Sequence, residues 1–360
     1  MSDKIRVGFI GASSIGCKVW NAIHAAGLVV VLVGSRSRES AEKYIQTCSE
    51  SLGINPQDAS PATYDEVVTS DKVDVVYMSI PVTQRDEWIR KCAANGKHVV
   101  SEKPHLSASA LLTYAELLAE KQLLFMDGTM FSHGPYIQAV MDNLPKIGTV
   151  RRINALFSFL NENSADIRLN PAMEPMGALG DVGWYSVRFM LHIMNFEMPT
   201  SVTGRIVKSA ENGAIVSFVR GVDVCEQETG GLVTGSFFAT FDAHQNDFYV
   251  SGTDGIIEAP NMILPVCKSK GGVNSVRVVT GSATAEGTEL VSRRHEERIA
   301  VPEEDGHTQE TQMWRDVQRA LHREDSGALV VAKEDAEKWF KMAWITQSIL
   351  DKLVESAKKK

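Results

Sequence analysis

Between residues 5 and 126 the chain alternates short, continuous apolar runs with segments of helical periodicity. Residues 5–10, 28–33, 73–80, 98–100 and 123–126 are apolar at nearly every position, the pattern of strands buried on both faces. Between them, 15–26, 40–52, 84–95 and 107–121 place apolar residues three and four apart, as helices do. Gly27 and Gly96 stand where two of these helices end, and Ser107 stands where a third would be capped. Strands separated by helices of this size form βαβ units, so the first part is expected to be a doubly wound parallel sheet of the α/β class.

The pattern changes near residue 128. Residues 149–159, 201–207, 214–224, 231–242, 246–252 and 255–259 read as longer strands with few helices between them. Thr253-Asp254-Gly255 marks a turn between two of them. An α+β domain with a large, open, mainly antiparallel sheet is expected, giving domains 1–127 and 128–360. Helical periodicity returns at 179–195, 308–323 and 332–356, while 268–308 is polar, Gly-rich and expected to be a long loop. Within 231–242, Val233, Phe237, Ala239 and Phe241 share one face, and Leu232 and Phe238 the other. Apolar residues on both faces imply that both are covered, so a homodimer or higher homo-oligomer built on this sheet is expected.

Composition acts mainly by exclusion. A chain of 360 residues holds roughly two domains. With 44% hydrophobic and 23% charged residues it is neither collagenous, coiled-coil nor largely disordered. The formal net charge of −8 argues against nucleic acid or an anionic membrane surface as partner. No run approaches the roughly 18 apolar residues of a spanning helix. The start leads directly into the first apolar run, with no secretory leader. Five widely spaced cysteines, Cys17, Cys48, Cys92, Cys225 and Cys267, form no C-x-x-C pair and read as reduced thiols of a cytoplasmic protein. The nine histidines are scattered without metal-ligand spacing, so no metal is expected.

Against that background, four segments carry chemistry. Gly11-Ala12-Ser13-Ser14-Ile15-Gly16 lies between the first strand and first helix. A Gly-x-Gly-x-x-Gly turn there lets backbone approach a pyrophosphate at a helix N-terminus; here Ser13 holds the middle position, and its hydroxyl could meet a phosphate oxygen. The same residues would also suit a plain strand-to-helix turn. The second strand ends in Gly34-Ser35-Arg36-Ser37-Arg38, with no acid before Glu39 to take a ribose 2′-hydroxyl. Ser35, Arg36 and Ser37 suit a 2′-phosphate instead, which points to NADP in preference to NAD; a solvated basic turn is the bland alternative. Glu102-Lys103-Pro104 follows the strand at 98–100, at the sheet edge where open α/β folds bind ligands, though a surface ion pair would look the same. Finally, Asp181 and Tyr185 in Gly177–Tyr185 are four apart on one helix face, with His192 seven further on. A capped amphipathic helix with a core tyrosine would give that pattern too.

In order and spacing, these segments resemble the glucose–fructose oxidoreductase / inositol dehydrogenase (Gfo/Idh/MocA) family over essentially the whole chain. Met126-Asp127-Gly128-Thr129-Met130 and Asp166-Ile167-Arg168-Leu169 resemble its branch of dihydrodiol and NADP-dependent xylose dehydrogenases. The resemblance implies a Rossmann domain followed by an open-sheet domain. It implies Gly11, Ser13, Ser14, Ile15, Ser35, Arg36, Ser37, Pro81, Glu102 and Lys103 at the dinucleotide. It also implies a cis bond before Pro104, and Lys103, Asp181 and Tyr185 as the catalytic group, with tyrosine as acid/base. Arg168 and His192 are candidates for substrate hydroxyls. The expected activity is hydride transfer between NADP and a secondary alcohol or carbonyl of a sugar, polyol or cyclic diol; the rival is a non-catalytic NAD(P)-binding sensor. One departure stands out: relatives often carry Pro-x-x-x-His where this chain has Pro81-Val82-Thr83-Gln84-Arg85.

Overall fold

Each apolar run of the first part folds as a parallel strand. In this computed structural model the described residues are 4–220, 223–226, 232–265, 274–286, 289–301, 308–324 and 327–359, with backbone alone for Pro56, 223–226, 282–286 and 289–292. Strands β1 (Arg6–Ile10), β2 (Val29–Gly34), β3 (Ser60–Ala62), β4 (Val75–Met78), β5 (His98–Ser101) and β6 (Phe125–Asp127) form one sheet in the order β3-β2-β1-β4-β5-β6, parallel throughout. Helices α1 (Ser14–Ala25), α2 (Arg38–Leu52), α3 (Tyr64–Thr69), α4 (Arg85–Ala94) and α5 (Ala108–Ala119) connect them. The strand order reverses between β1 and β4, which opens the ligand crevice of such sheets at their carboxyl ends.

The second sheet is nine-stranded and mainly antiparallel. After α6 (Pro135–Asn143) come β7 (Val150–Ser158), α7 (Trp184–Ile193), β8 (Gly204–Ser209), β9 (Ile215–Arg220), β10 (Asp223–Glu226), β11 (Leu232–Thr240), β12 (Gln245–Gly252), β13 (Gly255–Glu258), β14 (Ser275–Glu286) and β15 (Glu289–Ala300). Their order is β15-β14-β13-β12-β7-β11-β9-β8, with β10 on β11; only β7 and β11 run parallel. The loop expected over 268–308 is corrected. Residues 275–286 and 289–300 pair as a long hairpin. Its inner positions, Val276 and Val278, are buried, while Arg293, Arg294, Glu296, Glu297 and Arg298 are exposed and charged. Charge along an edge strand blocks further pairing and also erases the apolar alternation by which strands are recognised.

Contacts divide the chain into two units, residues 1–133 with 304–347, and 134–303 with 348–360. The boundary expected at 127/128 therefore falls six residues later, and 304–347 leaves the second domain for the first. Packing explains this. Helix α8 (Gln309–Ala320) buries Trp314 fully, edge-on to Tyr77 of β4 at 6.1 Å. The long C-terminal helix α9 (Lys333–Lys358) puts Ala343 into the core formed by Ile10, Val76, Met78 and Val99, with Phe340 and Trp344 against it. Between α8 and α9, β16 (Leu321–Arg323) and β17 (Leu329–Val331) pair with each other. Among the described residues no helix is long and apolar enough to cross a membrane. Cys17, Cys48 and Cys92 are free thiols; the Cys225 side chain and Cys267 lie outside the described set.

One buried group makes this unit pH-sensitive. The His98 ring accepts from the Leu124 amide through Nδ1 at 3.0 Å and meets the Leu329 carbonyl through Nε2 at 2.9 Å, so it sits neutral between β5, β6 and β17. Burial pushes its pKa down to about 4. The folded state thus binds this proton more weakly than the unfolded chain, near 6.5. Its contribution is complete above pH 6.5 and is lost as pH falls toward 4, amounting to about 3 kcal/mol at most. Urea unfolding at pH 7, 5.5 and 4 should show a flatter decline for His98→Gln than for wild type; parallel declines would refute this role.

Candidate active site

Glycine at position 11 is required twice over. Its φ is +106°, and a Cβ there would lie 3.0 Å from both the Ile80 Cγ2 and the Ser79 carbonyl oxygen. The turn leads into α1, whose first turn carries no acid. Ser13 is the N-cap: its Oγ accepts from the Gly16 amide at 3.2 Å, leaving its O–H to donate elsewhere. Ser14 and Ile15 are exposed at the helix start. Tyr44, which sequence reasoning did not single out, donates to the Ser13 carbonyl at 3.1 Å. A Cβ on Gly16 would collide with that hydroxyl, which accounts for the last glycine. A turn at a helix N-terminus, opened by a glycine, capped by Ser13, flanked by the exposed Ser14 and Ile15 and carrying no acid, fits a dinucleotide pyrophosphate.

At the end of β2 the candidate residues divide. Ser35 is half-buried and Arg36 is exposed, forming no ion pair among the described residues; its charge reaches the Tyr64 phenol. Ser37 instead caps α2, its Oγ accepting from the Ser40 amide at 3.2 Å and donating to the Ser40 Oγ at 2.8 Å. Arg38 is turned away, bonded to the Pro61 carbonyl at 2.9 Å and paired with Glu66. Arg36 is therefore the cation at this strand end that stands ready for an anion.

At the ends of β4 and β5 lie Pro81, Glu102 and Lys103. Lys103 is buried and its bond to Pro104 is cis. The Tyr77 hydroxyl donates to Glu102 Oε1 at 2.8 Å. Burial lifts the Glu102 carboxyl above its usual range, against the opposing pull of Lys103, Tyr77 and Arg85. A Cβ on Gly128 would run into this carboxylate, so Gly128 makes room for it.

The second unit gathers the others. Gly177, at φ +47°, starts a turn whose Cβ would collide with the Ile215 carbonyl. Residues Leu179–Gly183 then form one π-helical turn running into α7. Such turns are frequent at functional sites. Asp181 projects from it and accepts from Arg168 Nε at 2.7 Å. Arg168 Nη1 lies 3.2 Å from Asp166, which also caps the short turn Ile167–Leu169 by accepting from the Arg168 amide at 2.8 Å. Asp181 above all, opposed by burial and helped by Asp166, holds the guanidinium above its ordinary value. Tyr185, one turn after Asp181, is buried edge-on against Phe157 at 5.2 Å. His192 is half-buried at the far end of α7, its ring edge-on to Phe196 at 5.0 Å. Arg168 and Asp181 are thus joined directly, whereas His192 has a different neighbour. Asp166 carries no role in the sequence reading, although its Asp-x-Arg spacing is visible there. Among the described residues no group of three or more His, Cys, Asp or Glu could hold a metal.

Comparison with known proteins matches the two parts of the chain separately. The family model described as "Oxidoreductase family, NAD-binding Rossmann fold" matches residues 5–129, and the "GFO/IDH/MocA C-terminal domain" matches 144–258. A dTDP-3,4-didehydro-2,6-dideoxy-alpha-D-glucose 3-reductase of Actinomadura kijaniata is 33% identical over 195 residues, 52% of this chain; the match spans 55% of that relative's length. A D-xylose 1-dehydrogenase (NADP(+)) of Haloferax volcanii is 28% identical over 258 residues, 70% of this chain and 74% of its own. A solved 3-ketoreductase from Actinomadura kijaniata, in complex with NADP and TDP-benzene, superposes with a TM-score of 0.77 at 22% identity, covering 98% of each chain, which speaks to the fold alone. With both of its parts matched by models of one family, over the Rossmann sheet and the open sheet in turn, the chain belongs to the Gfo/Idh/MocA oxidoreductases.

Proposed function

We propose that this chain is an NADP-dependent oxidoreductase moving a hydride between the nicotinamide and a secondary alcohol or carbonyl of a sugar, polyol or cyclic diol. The observation that carries this is that models of one oxidoreductase family match both parts of the chain, the first unit carrying Lys103 at the end of β5 and the second carrying Asp181 and Tyr185 at the turn into α7. In this reading the first unit holds the dinucleotide and the second presents the substrate groups. Gly11, Ser13 and the amides of Ser14 and Ile15 take the pyrophosphate, Ser35 and Arg36 the 2′-phosphate, and Pro81, Glu102 and Lys103 line the nicotinamide end. Bound there, the dinucleotide would supply the hydride-transfer chemistry. Tyr185 exchanges the substrate hydroxyl proton. An ordinary tyrosine near pKa 10 is a poor base at pH 7, a neighbouring ammonium lowers a phenol's pKa, and the family resemblance gives Lys103 that assisting role. Asp181, fixed by Arg168, orients a substrate hydroxyl; Arg168 and His192 are further hydroxyl partners.

The reading also includes self-association. In β11, Val233, Phe237 and Ala239 are buried, but Phe238 is half-exposed and Leu232 more so. Phe238 pairs with Leu156 of β7 and Val219 of β9 on that same open face. A second copy of the chain would cover it.

Three outcomes test these statements. Fluorescence titration should give tighter binding of NADPH than NADH, and Arg36→Ala should remove about 10–100-fold of that preference, the worth of one charge-assisted phosphate bond; equal wild-type affinities would overturn it. In a cofactor-reduction screen over pentoses, hexoses, inositols and cyclic diols, Tyr185→Phe should lower kcat by about 10²–10⁴-fold with cofactor binding intact, and Lys103→Met should lower it similarly and move the pH optimum upward. Near-wild-type kcat in Tyr185→Phe would reduce the tyrosine to packing, while binding without turnover of any compound would favour a sensor. Light scattering at micromolar concentration should exceed the 39.5 kDa of one chain; that monomer mass would exclude the oligomer.

A further inference from the structure

We infer that Arg85 is a positioning residue for Lys103: its guanidinium grips the backbone on both sides of the lysine and so sets where the ammonium is presented. The inference rests on the reading that Lys103 assists proton transfer. Arg85 opens α4 and is only 6% exposed. Its Nε donates to the Ile80 carbonyl at 2.7 Å. Its Nη1 donates to the carbonyl of Glu102 and, at 2.7 Å, to that of Pro104. Residues 102 and 104 bracket Lys103, and Ile80 lies just beyond β4, so one cation staples the carboxyl ends of two adjacent parallel strands.

Donor chemistry selects arginine for this task. Three carbonyls need three N–H groups in fixed directions, which a planar guanidinium supplies from two of its nitrogens. A neutral imidazole has one N–H and a charged one two, so a histidine, common at this spacing in relatives, cannot hold all three. The departure from Pro-x-x-x-His is thus a gain of donors at the point where Lys103 leaves the sheet. Deleting the fork would remove three hydrogen bonds to the backbone around Lys103 and loosen the segment. A misplacement of about 1 Å at reacting groups is enough for about a 10²-fold loss of rate.

The test uses the full chain carrying Arg85→Gln. Lys103 acetylation by acetic anhydride, followed by mass spectrometry with the other lysines as internal standards, reads the exposure of its amine without any substrate. The expected result is labelling of Lys103 about tenfold faster than in wild type, with the remaining lysines unchanged. Turnover should show kcat lowered about 10–100-fold while KM for the cofactor stays within threefold. Because Arg85 acts through Lys103, the double variant Arg85→Gln/Lys103→Met should lose no more kcat than Lys103→Met alone. Lys103 labelling within twofold of wild type, or a double variant losing the full product of the two single effects, would overturn the inference. Wild-type kcat in Lys103→Met alone, with Lys103 labelling still accelerated in Arg85→Gln, would instead overturn the catalytic reading and leave the positioning intact. Should Arg85→Gln fail to fold, Arg85→Lys takes its place: it keeps the charge and loses the fork, so accelerated labelling is again expected and unchanged labelling again decides against.

Discussion

The backbone leaves β1 through a point too narrow for a side chain. At Gly11 the chain passes against Ile80 and the Ser79 carbonyl with φ at +106°, and its amide bonds the Gly34 carbonyl of the neighbouring strand at 3.0 Å. That close approach keeps the ends of β1, β2 and β4 together at the point where strand order reverses. The helix that follows starts with Ser13 as its cap and no acid in its first turn. A larger residue at position 11 would strain the dihedral and push the β1 and β4 ends apart, so the nucleotide cradle and the sheet around it share one steric condition.

How far this was legible in the sequence depended on whether burial or local chemistry set the element. The buried strands β1, β2, β4, β5 and β6 announce themselves as apolar runs, and the helices between them as periodic segments, because packing on both faces leaves little freedom of composition. Strand β3 is three residues containing Pro61, too short to show a period. Helix α3 is six residues held by a capping box between Thr63 and Glu66, a signal present in the sequence but easily passed over next to longer apolar stretches. In β15 the exposed charges Arg293, Arg294, Glu296, Glu297 and Arg298 hide the strand, and Glu296 pairs across to Arg277 of β14 at 2.8 Å.

The candidate site was legible as residue types and less so as partners. Gly11, Lys103, Asp181 and Tyr185 stand out through context and resemblance. That Ser37 is spent on capping α2, that Arg38 is tied to Glu66, and that Arg168 bridges Asp166 and Asp181 are outcomes of tertiary geometry. Arg85 shows the difference most clearly. In the sequence it is an anomaly in a familiar spacing; in the fold it is a buried cation surrounded by carbonyl oxygens. Lys97 repeats the arrangement at the end of α3, its amine bonded to the Ser70 and Val73 carbonyls at 2.6 and 2.8 Å. In both places a cation donates to several backbone carbonyls at once and ties together segments distant in sequence.

Helix α9 has a consequence for the order in which the molecule is made. Its first half, through residue 347, belongs to the unit that begins at the N-terminus, and Ala343 sits in that unit's core beside residues of β1, β4 and β5. A ribosome delivers these strands before residues 134–303 but releases their last packing partner only after that whole segment has emerged. The Rossmann sheet is therefore completed only after the intervening unit has been made, and during that interval the surface awaiting Phe340, Ala343 and Trp344 is exposed to whatever else is nascent around it.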